Sequence, residues 1–566
     1  APRRASGSTG GEGPLGTVPE SLFADDLGPD DDPCGVSMGD GALSLEARSL
    51  EVAHTAVYED PRRGARLAQA VRADSSGRAL LEAMVHPLGF SDYEGHAQRT
   101  PFVVRRRESP DFWRGLFSSD LCRQLLERRE ARYGRDVTVS RVEKSGARSN
   151  LNRNLSQGPG GHVAADKGDG SEVARASDVW HRFEEGGASV RLLHPQRFPE
   201  GRHVLRLLSG LEGLFDCLVG CNTYLTPRGA QGFRPHYDDI DAFILQAEGE
   251  KIWQLWAPRA EEDVCPLQSS PDFDPAQLGA PDFTVTLKEG DLLYMPRGLI
   301  HCARTPERPS DGSSGRPHSL HLTVSTNQMH SWAHVMEAAL SEALRQATEK
   351  YSELRETPPL GYMRRLGAMH CDGRSDVRDA LLETGREAAR LVLLELAEGS
   401  VEGGPSPLDR AADAINVGFQ EQRMPPAIRQ RRKGAGDAGG GGEAGAEPPM
   451  AMTVEEAEAA LDEDVPLEPA LAGCARLFEE GGVAHLVHSL ANSAEVHAAQ
   501  QGGAGGRRLE FDLRHAELLE RVLTLRVPTP ASDLPDSGDD RRDVLVALLE
   551  EGLLRVAAAK KLPKAR

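Results

Sequence analysis

The sequence lacks the features that define several protein classes. Its eight cysteines include no C-x-x-C pair, and they are too few for a disulfide scaffold, so we expect a reducing compartment. No segment approaches the roughly eighteen uninterrupted apolar residues of a transmembrane helix, and we therefore expect no membrane partner. Residues 1–11 also lack the apolar centre of a secretory signal.

Positive charge is scarce as well. The chain has 66 lysines and arginines against 87 acidic residues, a formal net charge of −21. Because phosphate contacts need Lys and Arg, this balance argues against a general nucleic-acid binder, and we expect no direct nucleic-acid binding. It suits a basic protein partner, since complementary charges steer the encounter.

Length and patterning indicate an α+β multidomain protein, because 566 residues exceed what one compact core accommodates. From Val190 to Ser325, short apolar runs alternate with Gly and Pro turns, which is typical of a β-sandwich or barrel. After Ser331 the apolar residues recur at helical spacing. We predict a mostly disordered region over 1–78 with a helix around 43–58, a mainly β domain over 79–330, a helical domain over 331–433, a Gly-rich linker over 434–464, a small α+β module over 465–558 with helices at 474–480, 515–523 and 543–551, and a basic tail over 559–566.

A metal site is predicted by the stretch GFRPHYDDIDAF. His236 and Asp238 are two residues apart, so on an extended strand both side chains leave the same face. His301 follows the apolar strand DLLYMP and a Pro-Arg-Gly turn, and supplies a third ligand from elsewhere in the barrel. Two imidazoles and one carboxylate form the facial triad of non-haem Fe(II) oxygenases, which leaves three coordination positions open.

A buried lysine is predicted next to this site. In KIWQLW, Lys251 shares one strand face with Trp253 and Leu255, so its ammonium group points into an apolar barrel. Such a group needs an anionic partner, and the distal carboxylate of 2-oxoglutarate would supply one.

Several motifs in order resemble the JmjC ribosomal oxygenases: NTYLTPRGAQGFRPHYDDIDAFILQAEGEKIWQLW, then GDLLYMPRGLIHCA, then HSLHLTVST. The nucleolar histidyl-hydroxylase branch looks nearer than the Mina branch. The resemblance implies a JmjC double-stranded β-helix, or cupin-like barrel, over 79–330, a helical dimerisation domain over 331–433 and a winged-helix-like domain over 465–558. It also implies a homodimer and a nuclear, nucleolar location. Basic clusters at 429–434 and 560–566 fit nuclear import.

The resemblance also assigns roles to residues of this sequence. The catalytic iron ligands would be His236, Asp238 and His301, with Fe(II), 2-oxoglutarate and O₂ as cofactor and cosubstrates. It implies that 2-oxoglutarate is bound by Lys251, Asn222 and Tyr224. It also implies that the protein substrate is bound by Arg191, Tyr224 and Ser325.

The implied reaction is hydroxylation of a histidine in a large-subunit ribosomal protein. The alternative within the same fold is demethylation of lysine on a histone tail. Methylated ammonium groups are usually held by aromatic cages, and a chain with 5% aromatic residues shows no such cage, which favours histidine. A third alternative is a catalytically inactive cupin-like scaffold, against which the presence of all three ligands and Lys251 argues.

Overall fold

The computed structural model describes residues 54–57, 77–106, 108–155, 172–310, 312, 315–370, 375–399, 404–426, 451–471, 473–495, 506–535 and 540–557. The tail predicted to be basic and most of the N-terminal region predicted to be disordered lie outside them. So does the helix predicted around 43–58, except His54–Val57, which form a strand and not a helix.

A two-sheet barrel forms the centre of the region predicted to be mainly β. Its strands are β1 (His54–Val57), β2 (Phe102–Arg105), β3 (Val137–Val142), β4 (Arg148–Asn150), β5 (Ser189–Leu193), β6 (Gly220–Pro227), β7 (Asp241–Glu248), β8 (Lys251–Trp256), β9 (Phe283–Leu287), β10 (Leu292–Met295), β11 (Ile300–Arg304) and β12 (His318–Thr326). The larger sheet has the order β1-β2-β10-β7-β12-β6-β5-β3-β4, and the smaller sheet has the order β11-β8-β9. Apart from the parallel β1–β2 pair, neighbouring strands are antiparallel.

Residue alternation along β12 explains how the larger sheet is buried on both faces. Leu320, Leu322 and Val324 join the core on the helical side of the sheet. The intervening His321, Thr323 and Ser325 point the other way, because successive strand residues face opposite sides. On that side, Ile244 of β7 packs with Leu255 of β8 in the core between the two sheets. The predicted β-barrel is thus confirmed, with a polar stripe along one inner wall.

Helices cover the outer face of the larger sheet. They are α1 (Gly77–Val85), α2 (Phe90–His96), α3 (Ser119–Arg128), α4 (Ala176–Glu184) and α5 (Arg202–Phe215), and a short α6 (Pro275–Leu278) lies between β8 and β9. The apolar side of α5 is buried, with Leu207, Leu208 and Leu211 fully enclosed. This layer fixes the larger sheet and leaves the smaller sheet to complete the barrel interior.

The predicted helical region contains α7 (Trp332–Lys350), α8 (Tyr362–Arg365), α9 (Asp376–Glu398) and α10 (Pro407–Gln422). Helices α9 and α10 both pack on α7. The contact surface of α7 is made of small residues, since its buried positions are Ala339, Ala343 and Ala347. Small side chains allow helices to approach closely, but they bury little apolar area.

The C-terminal unit has its own core. Its elements are α11 (Val454–Asp462), β13 (Leu467–Pro469), β14 (Ala475–Glu480), β15 (Val483–His488), β16 (Arg507–Asp512), α12 (Ala516–Leu523), α13 (Arg541–Glu550) and β17 (Leu554–Val556). The sheet β14-β15-β16 and the pair β13–β17 surround buried residues of α12 and α13. The helices predicted at 515–523 and 543–551 are therefore confirmed to within two residues.

Two predictions for this unit are wrong. Residues 475–480 form strand β14 and not a helix, because they pair with β15 across a turn in which Gly481 and Gly482 both have positive φ. Helix α11 occupies residues that were predicted to belong to the Gly-rich linker. It begins at a capping box in which Thr453 and Glu456 each bond the other's backbone N–H, so the unit starts before residue 465.

Buried Arg423 joins three parts of the chain. Its guanidinium donates to the carbonyl oxygen of Gly473 at 2.8 Å and to that of Ser209 at 3.3 Å, and its Nε lies 4.0 Å from the buried carboxylate of Glu212. Asn492 of the C-terminal unit donates to the Arg423 carbonyl oxygen at 2.9 Å. These bonds tie the end of α10 to α5 beside the barrel and to the C-terminal unit. Among the described helices, none is long and apolar enough to span a membrane.

Candidate active site

Two of the predicted metal ligands come from segments that pair through their backbones. The N–H of His236 donates to the carbonyl oxygen of His301 at 3.1 Å, and the N–H of His301 donates to that of His236 at 2.8 Å. This isolated antiparallel bridge brings the turn before β7 against the start of β11. The imidazole rings lie side by side, with 4.7 Å between centroids.

Asp238 completes the predicted trio. Its carboxylate oxygens lie 3.8 Å from Nε2 of His236 and 3.7 Å from Nε2 of His301. One donor atom from each side chain falls within 4.8 Å of the others, and no other such group of three is found among the described residues. The structure therefore brings together the three side chains that the sequence predicted.

The hydrogen bonds behind the rings favour metal binding. Nδ1 of His236 is 2.8 Å from the Arg234 carbonyl oxygen, and Nδ1 of His301 is 3.0 Å from that of Leu299. A carbonyl can only accept, so each Nδ1 carries the proton and each Nε2 keeps its lone pair for a cation. Burial, followed by the neighbouring His236, lowers the pKa of His301 to about 4, which keeps this ring neutral at pH 7. Two imidazole Nε2 atoms and a carboxylate fit a divalent transition metal.

Lys251 lies inside the same barrel, as predicted. The side chain is 4% exposed, and its Nζ is 3.1 Å from Thr226 Oγ1 and 3.3 Å from His321 Nδ1. Burial lowers the pKa of Lys251 to about 7, because no carboxylate is among these neighbours. Oδ1 of Asn222 and Nε1 of Trp253 are also buried and without a hydrogen-bond partner. An anionic ligand with several oxygen atoms would accept hydrogen bonds from the two donors of this wall, Lys251 Nζ and Trp253 Nε1, whereas Asn222 Oδ1 needs a donor.

The comparisons with known proteins agree with this geometry. The JmjC domain family model matches residues 191–330. The bifunctional lysine-specific demethylase and histidyl-hydroxylase NO66 of Dictyostelium discoideum is 32% identical over 491 residues, covering 86% of this chain and 83% of the relative. Human ribosomal oxygenase 1 is 32% identical over 496 residues, covering 86% and 69%. This chain belongs to the JmjC ribosomal oxygenase family. Among solved structures, Escherichia coli ycfD covers 83% of this chain and 98% of its own, at 16% identity and a TM-score of 0.41.

The remaining predicted site residues of this ribosomal oxygenase lie on neighbouring inner strands. Tyr224 of β6 pairs in register with Arg191 of β5, and its ring stacks on that of His321. Burial raises the pKa of Tyr224, so the phenol keeps its proton. Ser325 is half-buried on β12 opposite Gly220, on the same face as His321. Arg191 donates to Thr138 Oγ1 at 3.1 Å, and its guanidinium is 5.5 Å from the Phe233 ring centroid.

Sequence reasoning missed His321, Thr226 and Phe233. The first two contact Lys251 directly. The signal for His321 was present, because polar residues occupy every second position from Ser319 to Ser325, which indicates a polar inner face, and Thr226 alternates in the same way with Asn222 and Tyr224. Phe233 gave no comparable signal, since it precedes the ligands in an irregular segment.

A separate cleft of about 600 Å³ opens at the other end of the barrel, where β7 ends and β8 begins. None of the three metal ligands lines it. Its charges are paired with each other: Lys288 lies 3.2 Å from Glu250, and Arg316 lies 2.7 Å from Glu289. We assign no role to this cleft.

Proposed function

We propose that this protein is an Fe(II)- and 2-oxoglutarate-dependent oxygenase that hydroxylates a histidine of a large-subunit ribosomal protein. The supporting observation is the meeting of His236, Asp238 and His301 at one point of a barrel that also encloses Lys251. The names of the two relatives, a bifunctional lysine-specific demethylase and histidyl-hydroxylase and a ribosomal oxygenase, support a protein substrate and are compatible with both candidate reactions.

In this proposal each residue has a defined task. His236, Asp238 and His301 hold the iron. Lys251 binds the distal carboxylate of 2-oxoglutarate, and Asn222 lies on the same face of β6 as Tyr224. When bound, the metal would use O₂ and 2-oxoglutarate to oxidise a C–H bond: one oxygen atom of O₂ would enter the substrate and the other succinate, with CO₂ released. The protein positions the substrate carbon and excludes water from the barrel.

Charge at the mouth favours histidine over methylated lysine. The guanidinium groups of Arg148 and Arg191 lie 4.3 Å and 5.5 Å from the centroid of Phe233, the aromatic ring beside Tyr224. A methylated ammonium group needs free aromatic faces, and here two cations already occupy the surroundings of the ring. Repulsion between like charges would oppose its entry, whereas a neutral imidazole and peptide carbonyl groups would be accepted.

A peptide assay tests this proposal. The full chain is incubated with Fe(II), 2-oxoglutarate and histidine-containing ribosomal peptides or trimethyl-lysine histone peptides, and succinate and peptide mass are measured. We expect a gain of one oxygen on histidine. Loss of methyl mass from lysine would support the demethylase instead, and no peptide-dependent succinate with either substrate would support the inactive scaffold. Lys251→Met should abolish turnover, while Lys144→Met, at an exposed turn, should not.

We also propose that the chain forms a homodimer through its helical region. Glu395 is the one buried residue among the 23 residues of α9, although Val377, Leu393 and Leu394 expose apolar side chains. Helix α7 exposes Trp332 and Leu344 in the same region. A second copy would cover these apolar faces by two-fold symmetry. Light scattering should give a dimer mass for the parent chain and a monomer mass for the Leu393→Glu, Leu394→Glu double variant.

A basic protein substrate in the nucleus, and in the nucleolus in particular, completes the proposal. The C-terminal unit offers little free positive charge for nucleic acid, because Arg476, Arg507 and Arg555 each lie within 2.8 Å of a carboxylate.

The basic clusters at 429–434 and 560–566 lie outside the described residues. Replacing their lysines and arginines with glutamine in a fluorescent fusion should move the protein out of the nucleus. Unchanged nuclear fluorescence would contradict their role in import.

A further inference from the structure

The segment 235–239, which carries two of the metal ligands, has backbone partners on both sides. On one side, His236 pairs with His301, and the carbonyl oxygen of Asp238 accepts the N–H of Gly298 at 3.0 Å. Because peptide groups alternate in direction along an extended segment, the groups of Tyr237 point the opposite way. They need a second partner.

That partner is the connection between β8 and β9, which we call the strap (residues 263–273). The N–H of Ser270 donates to the carbonyl oxygen of Tyr237 at 3.0 Å, and the N–H of Tyr237 donates to Ser270 Oγ at 2.9 Å. The N–H of Phe273 donates to the carbonyl oxygen of Pro235 at 2.8 Å. Ser270 thus bonds both the backbone N–H and the backbone carbonyl group of Tyr237, the residue between the two ligands.

Two further contacts keep the strap in place. Ser269 Oγ donates to Asp239 Oδ1 at 2.5 Å and accepts the N–H of Asp239 at 3.3 Å. The strap also contacts the turn that leads to His301, since a Cβ on Gly298 would lie 2.1 Å from the Asp263 carbonyl oxygen. The same few residues therefore contact both ligand-bearing segments.

We infer that Ser270 is a positioning residue of the metal centre. Its side-chain oxygen holds the Tyr237 peptide group and so fixes the spacing of His236 and Asp238. This inference rests on the proposed metal function. Losing the oxygen leaves the N–H of Tyr237 without its acceptor, and the two ligands gain freedom relative to each other. Groups that orient ligands typically contribute about tenfold or more to metal affinity.

Co(II) is a suitable probe, because its visible absorption reports ligand geometry independently of turnover. The full chain, Ser270→Ala, Ser270→Thr and the control Gln268→Ala are titrated with Co(II). Gln268 is an exposed neighbour in the strap. We expect Ser270→Ala to bind about tenfold more weakly with an altered absorption band, Ser270→Thr to recover most of the affinity, and Gln268→Ala to match the parent. Thermal melting of each ligand-free variant monitors the fold.

Two results would overturn the inference: a Ser270→Ala titration indistinguishable from that of Gln268→Ala, or a threonine variant no better than alanine. The second comparison holds even if alanine lowers stability, because threonine keeps the oxygen. Failure of the parent chain to bind Co(II) would instead refute the metal site itself, so the two failures are distinguishable.

Discussion

The imidazole ring of His321 lies parallel to the phenol ring of Tyr224, with 1° between the ring planes and 4.8 Å between the centroids. This stack places Nδ1 of His321 3.3 Å from Nζ of Lys251. Burial, and then the charge of Lys251, lowers the pKa of His321 well below its ordinary value, so the ring is neutral. Its Nδ1 can therefore accept a hydrogen bond from the ammonium group. The far wall of the pocket thus consists of one cation among neutral groups.

The first prediction concerns the pH dependence of cosubstrate binding. The pKa of Lys251 is about 7 in the ligand-free protein, whereas a bound carboxylate would stabilise the ammonium form and raise it. Binding then requires proton uptake above pH 7, so affinity for 2-oxoglutarate should fall by up to about tenfold per pH unit between pH 7 and 9. Calorimetry with the Mn(II)-loaded protein measures this slope. Lys251→Arg should remove it, because arginine stays charged, and an equal slope in both proteins would contradict the prediction.

The same pKa predicts how the ligand-free fold responds to pH. Lys251 has a pKa of about 7 when folded and about 10.5 when unfolded, so between these values the unfolded chain binds more protons. The contribution of Lys251 to stability therefore increases as pH rises from 7 towards 10.5. Chemical denaturation measures this pH-dependent increase in the free energy of unfolding. The increase should be absent in Lys251→Met, and 2-oxoglutarate should make it smaller in the parent protein.

The second prediction concerns His236. Replacing it with alanine removes one ligand but keeps the backbone bridge to His301, so the barrel should stay folded. We expect turnover to fall by at least about a thousandfold, since the metal supplies the oxidising chemistry. Succinate formation and circular dichroism measure the two effects. His181→Ala, an exposed histidine on α4, is the control, and parent-like turnover of His236→Ala would disprove the metal assignment.

The third prediction concerns Arg148, whose guanidinium lies 4.3 Å from the Phe233 ring centroid at the pocket mouth. Under the proposed function Arg148 would contact the bound peptide rather than the reacting atoms, so Arg148→Ala should raise the KM for a histidine peptide about tenfold with kcat nearly unchanged. Because Arg148 also lies 3.7 Å from Asp272 of the strap, Co(II) binding by the variant checks that the metal site is unaffected. Arg123→Ala provides a matched control, since Arg123 also covers an aromatic ring, that of Trp180, but on the helical layer. Equal KM values for the two variants would exclude a substrate role for Arg148.

The fourth prediction concerns Gly298, which has φ of +85° and whose Cβ would collide with the strap. Gly298→Ala should lower the free energy of unfolding by about 2 kcal/mol or more and weaken Co(II) binding. Gly146→Ala has the same sign of φ but open space around it, so it isolates the conformational cost. If both variants lost equal stability and bound Co(II) equally well, the contact with the strap would be unimportant.

The fifth prediction concerns Arg423, which is 1% exposed and contacts Glu212 and Gly473. Arg423→Ala should cost about 3 kcal/mol or more of unfolding free energy, because it leaves the Glu212 carboxylate buried without its cation. Arg345→Ala removes an exposed pair with Glu342 and should cost about 1 kcal/mol or less. Denaturant titrations of both variants give the comparison.

Sequence patterns predicted the barrel well because the alternation that defines each strand lies within a few consecutive residues. Alternation in HSLHLTVST and KIWQLW fixes which side chains face inward, and two ligands on adjacent same-face positions need no long-range information. Lys251, His236 and Asp238 could therefore be predicted from local patterns, whereas His301 comes from elsewhere in the barrel and was assigned from its strand-and-turn signal and the family resemblance.

The strap could not be predicted in this way. Ser270 follows Tyr237 by 33 residues, and their pairing depends on the path of an irregular loop rather than on any periodicity. The errors at β14 and α11 differ in kind, because local signals were present. The two glycines after Glu480 indicate a hairpin, and Thr453 with Glu456 forms a helix-starting pattern in acidic, glycine-poor sequence.

The buried ammonium group of Lys251 has a consequence for the protein in the cell. Without its cosubstrate, the barrel encloses an amine whose charged form is disfavoured by burial, and a bound 2-oxoglutarate carboxylate would offset that cost. A metabolite that is consumed in every turnover would then also stabilise the folded protein by binding to it. A lower concentration of 2-oxoglutarate would then lower the free energy of unfolding as well as slow the reaction.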